Sequence, residues 1–335
     1  MDIEFHYYIT FILSRKAGFD ADEAFKIAYS SQYTDDNSYH YHVNLKDGNS
    51  YINQISQTID ITKPSEKRKT IYPLFHFIPC GEEGEDACCF ECGDKNCFVT
   101  IPNSQNAQDL LDAALKSNDL YRIGIAVHAY ADTWAHQNFL GYSDKLNAQK
   151  GLLKKAVGAF VPDLGHAEFL HEPDKIHNRW YDNRLSKKHR EIDNDERFLD
   201  AAREIFIRLY RHKNPQSEAN QAAGRYDQLG IEKQLRDAMD ESYFLGSSEP
   251  ARRSAYKKIC PELKLAKYAY DANAWRYAAI EKKEFEADIF DRYWGKAHFL
   301  DSDWYKFQKA VDEHKEMALV KFRPFFRQAG FAVYA

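Results

Sequence analysis

Apolar residues recur along this chain mostly at helical spacing. Residues 2–17 place Phe5, Tyr8, Ile9, Ile12 and Leu13 on one stripe, with Asp2 as a cap and Gly18 as a stop. Asp20-Ala-Asp-Glu23 then has the form of a capping box and predicts a second helix to about Gln32, followed by an acidic exit, Tyr33-Thr-Asp-Asp-Asn37. The pattern changes between about Asn49 and Phe77. Tyr51, Ile52, Ile55, Ile59 and Ile61, then Ile71, Tyr72, Leu74, Phe75 and Phe77, suggest short extended segments around Pro64 and Pro73. Helical spacing returns at Asn103 or Ser104 and runs to about Lys116. A capped helix from Leu120 to Gly141 follows, then a short one over Lys150 to Phe160. Beyond Asp193 helices are expected at about 193–212, 231–244, 249–258, 261–290 and 302–325. The fold class predicted is mainly α. Residues 1–177 would form a helical core with a Cys-rich insertion at about 78–100, and 178–335 a helical extension packed on it.

The helix at 120–141 carries the chemistry. His128, Asp132 and His136 fall at i, i+4 and i+8, so all three share one side. Ile123, Val127, Tyr130, Trp134 and Phe139 mark the same helix as internal. A buried carboxylate between two imidazoles needs a cation or hydrogen-bond partners. Two His and one Asp are also ligands of zinc or a similar divalent ion. A polar network in which His and Asp satisfy one another is the plain alternative.

Composition narrows the classes. The net charge of −5 gives no global attraction to nucleic acid or anionic membranes, although a metal cluster could supply positive charge locally. Aromatics reach 15%, which suits a tightly packed helical body or a stacking surface. The N-terminus lacks a basic leader and a small-residue cleavage site, so a cytoplasmic protein is expected. No apolar run approaches the ~20 residues that span a bilayer. Cys80, Cys88, Cys89, Cys92 and Cys97 crowd one acidic, Gly-containing loop. Thiols so placed in a cytoplasmic chain favour a reduced state or a structural metal. Between Gly165 and Asp174 stand His166, Glu168, His171, Glu172 and Asp174, again dense in ligand types.

In chain order the donors run His6, Asp35/Asp36, His76, His128-x3-Asp132-x3-His136, and Gly165-His166 with acids beyond. This order resembles the zinc-dependent phospholipases C and the zinc-dependent single-strand nucleases, over about residues 1–175. Those families share a mostly helical fold and hold three zinc ions in a cleft. The resemblance implies that Asp35 or Asp36, His76 and His128 bind one zinc, with Asp132 bridging to a neighbour. His136 and His166 would serve a second zinc and His6 a third, with another divalent metal as an alternative to zinc. Three departures stand out. The family's third zinc uses the amine and carbonyl of a processed first residue, usually Trp, whereas this chain begins Met-Asp. Glu4 or Asp2 would have to substitute, or the third site is absent. The Asp132–His136 spacing is short for the family. The acid expected four residues after His166 is Leu170, leaving Glu168, Glu172 or Asp174, with His171 as a further nearby donor. The FHYY and HAYADTWAHQ segments resemble, more closely, an uncharacterised group of bacterial cytoplasmic proteins.

Phosphodiester chemistry has its own physical case. Clustered divalent ions acidify water and neutralise charge in an in-line displacement, while a carboxylate takes the water proton. The expected catalytic residues are Asp132 and the inward-facing member of the Asp35–Asp36 pair, taken as Asp36. A phosphodiester partner is therefore expected, whether nucleic acid, nucleotide or lipid head group. A metal hydrolase of another class and a helical scaffold or defence protein with structural metals are the competing readings.

Overall fold

The computed structural model describes residues 1–58, 70–148, 165–240, 248–283, 292–328 and 330. Mainly helical architecture follows, arranged around the buried helix α5, Leu120–Ala135. A π-helical turn, Glu4–Ile9, leads into α1, Thr10–Ala17, and then α2, Ala21–Asp36. The Asp20–Glu23 capping box is formed, and α2 continues to Asp36, so Asp35 and Asp36 sit in its last turn. Next come the strands β1, His42–Asn44, and β2, Ser50–Ile52, and the short helix α3, Ile71–Phe75. The extended segment expected across Ile71–Phe77 is thus a helical turn. Pro73 sits inside its first turn, where a missing N–H costs no internal bond. Ile59, Ile61 and Pro64 lie outside the described residues.

Ser104 caps α4, Gln105–Ser117, and Asp119 caps α5 through the Tyr121 and Arg122 amides. α5 stops at Ala135, not at Gly141. His136 is its C-cap, and Asn138 takes up a positive φ of 67° that turns the chain back. The helix expected at Lys150–Phe160 lies outside the described residues. A two-stranded ribbon follows, β3, Arg179–Tyr181, with β4, Glu191–Asp193. Asp193 then caps α6, Asn194–Lys213.

The C-terminal half continues with α7, Ala219–Gln228; α8, Ile231–Met239; α9, Glu249–Ile259; α10, Ala274–Ala279; β5, Ile280–Lys283; β6, Arg292–Gly295; and α11, Asp303–Gln328. The long helix expected over 261–290 is broken. 3₁₀ turns occupy Pro261–Lys264 and Ala266–Tyr268, and β5 pairs antiparallel with β6. β6 in turn pairs parallel with β1, giving a small sheet ordered β2-β1-β6-β5. Sheet pairing to the far N-terminal half overrides the helical spacing read there.

One hydrophobic cluster runs from Met1 to Phe326. α11 contributes Trp304, Phe307, Val311, Ala318 and Phe322 on one face, and α5 is buried nearly all round. α2 and α5 pack tightly at Gly124, where a Cβ would stand 2.4 Å from the Ile27 carbonyl oxygen. That approach sets the last turn of α2 beside His128 and Asp132. No helix among the described residues is long and apolar enough to cross a membrane.

Candidate metal centre

Four elements supply donors. The π-turn brings His6, the end of α2 brings Asp35, the residue after α3 is His76, and α5 presents His128 and Asp132. All but Asp35 are essentially buried. His128 Nε2 lies 3.0 Å from His76 Nδ1 and 3.2 Å from Asp132 Oδ2. His76 Nδ1 is 3.3 Å from the same oxygen, and Asp35 Oδ1 is 3.7 Å from each of the two ring nitrogens. A tetrahedral ion with ligands at ~2.0–2.1 Å requires donor–donor edges of about 3.4 Å. These edges bracket that value.

Asp132 faces two ways. Oδ2 joins the group just described, while Oδ1 is 2.5 Å from the Met1 amine and 3.2 Å from His6 Nε2. The amine is also 3.3 Å from Asp174 Oδ1. Asp174 Oδ1 is 3.2 Å from His136 Nε2, and its Oδ2 is 3.2 Å from His166 Nε2. Three convergent groups result: His6–Asp35–His128, His76–His128–Asp132 and His136–His166–Asp174.

Backbone carbonyls fix the imidazoles. His76 Nε2 donates to Ser56 O at 2.9 Å, His136 Nδ1 to His76 O at 2.7 Å and His166 Nδ1 to Leu170 O at 2.8 Å. A carbonyl only accepts, so in each neutral ring the other nitrogen carries a lone pair. Those lone pairs face carboxylate oxygens across 3.2–3.3 Å. Two acceptors so close repel unless a proton or a cation lies between them. Second-nitrogen bonds of this kind are what orient histidine ligands of metals. Among the described residues, no hydrogen bond reaches the buried His6 Nδ1, His6 Nε2 or His128 Nδ1; His6 Nε2 meets Asp132 Oδ1 only as a 3.2 Å charge contact, and the His6 and His128 rings stack at 3.9 Å. Orphaned nitrogens beside an acidic pair fit divalent ions well.

The charges respond to one another even without a cation. Burial opposes the Met1 ammonium, but Asp132, Asp174 and Asp35 outweigh it and hold its pKa at about 11. Burial likewise pushes Asp132 and Asp174 upward. The amine and the surrounding imidazoles overcome this and hold both carboxyls well below the usual range. Burial lowers His6 and His166, and the enclosed position of Asp35 raises it. His76 is raised because its neighbouring carboxylates overcome its burial.

A cavity of about 460 Å³ opens onto these groups, and its lining includes Met1, Asp35, Asp132, His136, His166 and Asp174. Gln57, Tyr72, His76, Phe77, Gly165, Ala167, Leu170 and His171 complete it. Gly165, at φ +53°, lies under Phe77, where a Cβ would come within 2.6 Å of the ring. This brings His166 over the Phe77–His136 ring stack.

Several expectations need correction. Asp36 is exposed, hydrogen-bonds to the Tyr270 hydroxyl and accepts from Gln32 Nε2 at 3.3 Å, so Asp35 is the inward member of the pair. Successive residues on a helix differ by about 100° and cannot both face the cluster. Glu4 is held by Arg252 through bonds of 2.6 and 2.8 Å, and Asp2 accepts the Glu4 amide, so neither replaces the amine. The Met1 amine lies beside Asp132 and Asp174 instead. Of the acids after His166, Asp174 converges on the cluster. Glu172 instead accepts from Asn178, Glu168 joins no convergent group among the described residues, and His171 lines the cavity. The five clustered cysteines are thiols, with Cys80 and Cys97 buried and Cys92 exposed. Among the described residues no set of them converges as a metal site.

Sequence reasoning passed over Met1 and the cavity wall of Gln57, Tyr72, Phe77 and Leu170. His6 stands five residues from the amine, little more than one helical turn, which is the signal that could have placed Met1 in the site. No curated protein and no solved structure matches the chain. A family profile matches residues 1–322, and the chain therefore belongs to the family described as a family of unknown function, DUF6765.

Proposed function

We propose that this protein is a metal-dependent phosphoester hydrolase, with zinc as the preferred ion and a phosphodiester as substrate. The observation that carries the reading is the convergence of His76 Nδ1, His128 Nε2, Asp35 Oδ1 and Asp132 Oδ2, in which each contact of a ring nitrogen with another donor, at 3.0–3.7 Å, suits an edge of a tetrahedral ion. It shares Asp132 with the amine and His6, and it faces the same cavity as His136, His166 and Asp174.

Divalent ions held there would supply Lewis acidity, lowering the pKa of water and offsetting phosphoryl charge. The chain's own contribution is positional. Asp132 links the groups through its two oxygens, and Asp35, the most open of the acids, is the residue best set to accept a proton from water in the cavity. Phe77 and Tyr72 give the same cavity an aromatic lining. The helical surroundings and the donor order resemble the zinc-dependent phospholipases C and single-strand nucleases, which supports the reaction class.

The test is elemental analysis of purified protein followed by a panel of phosphodiesters with zinc-replete and chelated samples. Two or three ions per chain and chelator-sensitive turnover are expected. Less than one ion, with no uptake of added zinc, would refute the reading.

A further inference from the structure

We propose that Leu170 is a specificity residue: its side chain forms an apolar seat beside the metal groups, selecting phosphoesters whose esterified group is apolar over small polar or polyanionic ones. The inference rests on the phosphoester reading above and deepens it.

A single exposed leucine carries no message by itself. Leu170 differs in three respects. Its backbone sits at φ 55° and ψ −122°, a region that L-residues rarely enter and glycine enters freely. The conformation itself has a purpose, since it turns the Leu170 carbonyl onto His166 Nδ1 at 2.8 Å. Glycine would serve that purpose without strain, so the leucine side chain is the costly choice. Strain of this kind points toward function.

The side chain is also not used by the fold. It is 68% exposed, the most exposed of the large hydrophobics among the described residues. It lies on the wall of the cavity that contains Asp35, Asp132 and Asp174, with Tyr72, Phe77 and Ala167 as apolar companions. Tyr72 is fixed there by its hydroxyl, which donates to Thr58 O at 2.9 Å. Among the described residues the lining includes no Lys or Arg, so a second phosphate would meet no side-chain cation. A phosphoryl group drawn to the ions would leave its ester substituent against Leu170 and Tyr72. Covering about half of a leucine side chain is worth roughly tenfold in affinity.

Methylphosphonate and phenylphosphonate test this directly, because their C–P bonds resist hydrolysis and binding is read without turnover. Titration calorimetry of the zinc-loaded full chain should show phenylphosphonate binding roughly tenfold tighter than methylphosphonate, and pyrophosphate gaining no such advantage. Leu170→Gly should bring the two phosphonates to within about twofold while leaving Tm unchanged or higher. Leu170→Ala should also erase the preference, without the gain in Tm. A preference that survives in both variants overturns the proposal, as does a fall in Tm with Leu170→Gly, because the leucine then serves the fold. Equal binding of both phosphonates to the wild type overturns it while leaving the phosphoester reading intact. Failure of both phosphonates to bind overturns that reading and this one together.

Discussion

Gly124→Ala probes whether the α2–α5 approach builds the metal centre. In an exposed helix, glycine to alanine gains up to ~1 kcal/mol, because alanine restricts the unfolded chain more. At position 124 the new Cβ would stand 2.4 Å from Ile27 O and 2.5 Å from Ser30 Cβ. Ordinary carbon contacts lie near ~3.5–4.0 Å, so the two helices must part by about 1 Å. Overpacking of this kind costs ~1–3 kcal/mol, and the obstruction here is backbone, which cannot swing aside. The net expectation is a loss of about 2 kcal/mol. With an unfolding entropy of ~2 cal/mol/K per residue, that lowers Tm by roughly 3 °C. The same displacement carries Asp35 away from His128, whose nitrogen is now 3.7 Å from it. Zinc affinity should fall ~10–100-fold, as when an outer-shell partner is lost. Gly224→Ala in α7 is the control, since a Cβ there meets nothing within 4 Å. It should stabilise and leave zinc binding alone. Thermal unfolding and zinc titration of both variants decide the matter. If Gly124→Ala stabilises as Gly224→Ala does and binds zinc normally, the close approach does not shape the site.

Two further outcomes follow from side-chain placement. Asp35→Asn should lose at least one bound ion per chain and most turnover, whereas Asp36→Asn should keep its metal, as elemental analysis of the two purified variants would show; equal metal content in both would contradict the orientation of α2. His314 is buried against the Leu74 carbonyl at 3.0 Å, and burial depresses its pKa to about 4. The unfolded chain binds its proton near 6.5 while the folded chain does not, so stability is lost as pH falls from about 6.5 toward 4, by ~1.4 kcal/mol per unit. Urea denaturation at pH 7 and pH 5 should show His314→Gln losing about 2 kcal/mol less than wild type over that interval, and parallel losses would contradict the assignment.

How much of this was legible in the sequence depended on the range of the interaction. The caps at Asp20, Ser104 and Asp119 and the spacing of His128 and Asp132 are local, and they read correctly from a few residues. His136 read as a third residue on the helix face, but it is the C-cap, and the turn after it aims the ring at Asp174. The spacing gave the right side of the molecule for the wrong local reason. Asp35 against Asp36 could not be separated, because only the phase of α2 against α5 decides, and that phase rests on tertiary packing such as the tight contact of Gly124 with Ile27 and Ser30. The stretch 261–290 misled for a related reason: alternating aromatic and charged residues fit a helix, yet its β5 pairs with β6, whose other partner, β1, lies more than 200 residues earlier.

Asp174 and Met1 mark the limit of such reading. Asp174 sits in an irregular turn, where no periodicity assigns a direction, and the neighbouring acids Glu168 and Glu172 had equal claim from sequence. What separates them is the accounting of partners. Glu172 is engaged by Asn178, whereas Asp174 meets two imidazoles and an ammonium. The amine carries no side-chain signal at all. Yet a buried ammonium needs anions, and two carboxylates facing imidazole lone pairs need cations, so each requirement answers the other only where the chain start, α5 and the 165–174 turn meet. In this protein, then, the helices determine where donors stand, while charge balance determines which of the irregular segments must come to them.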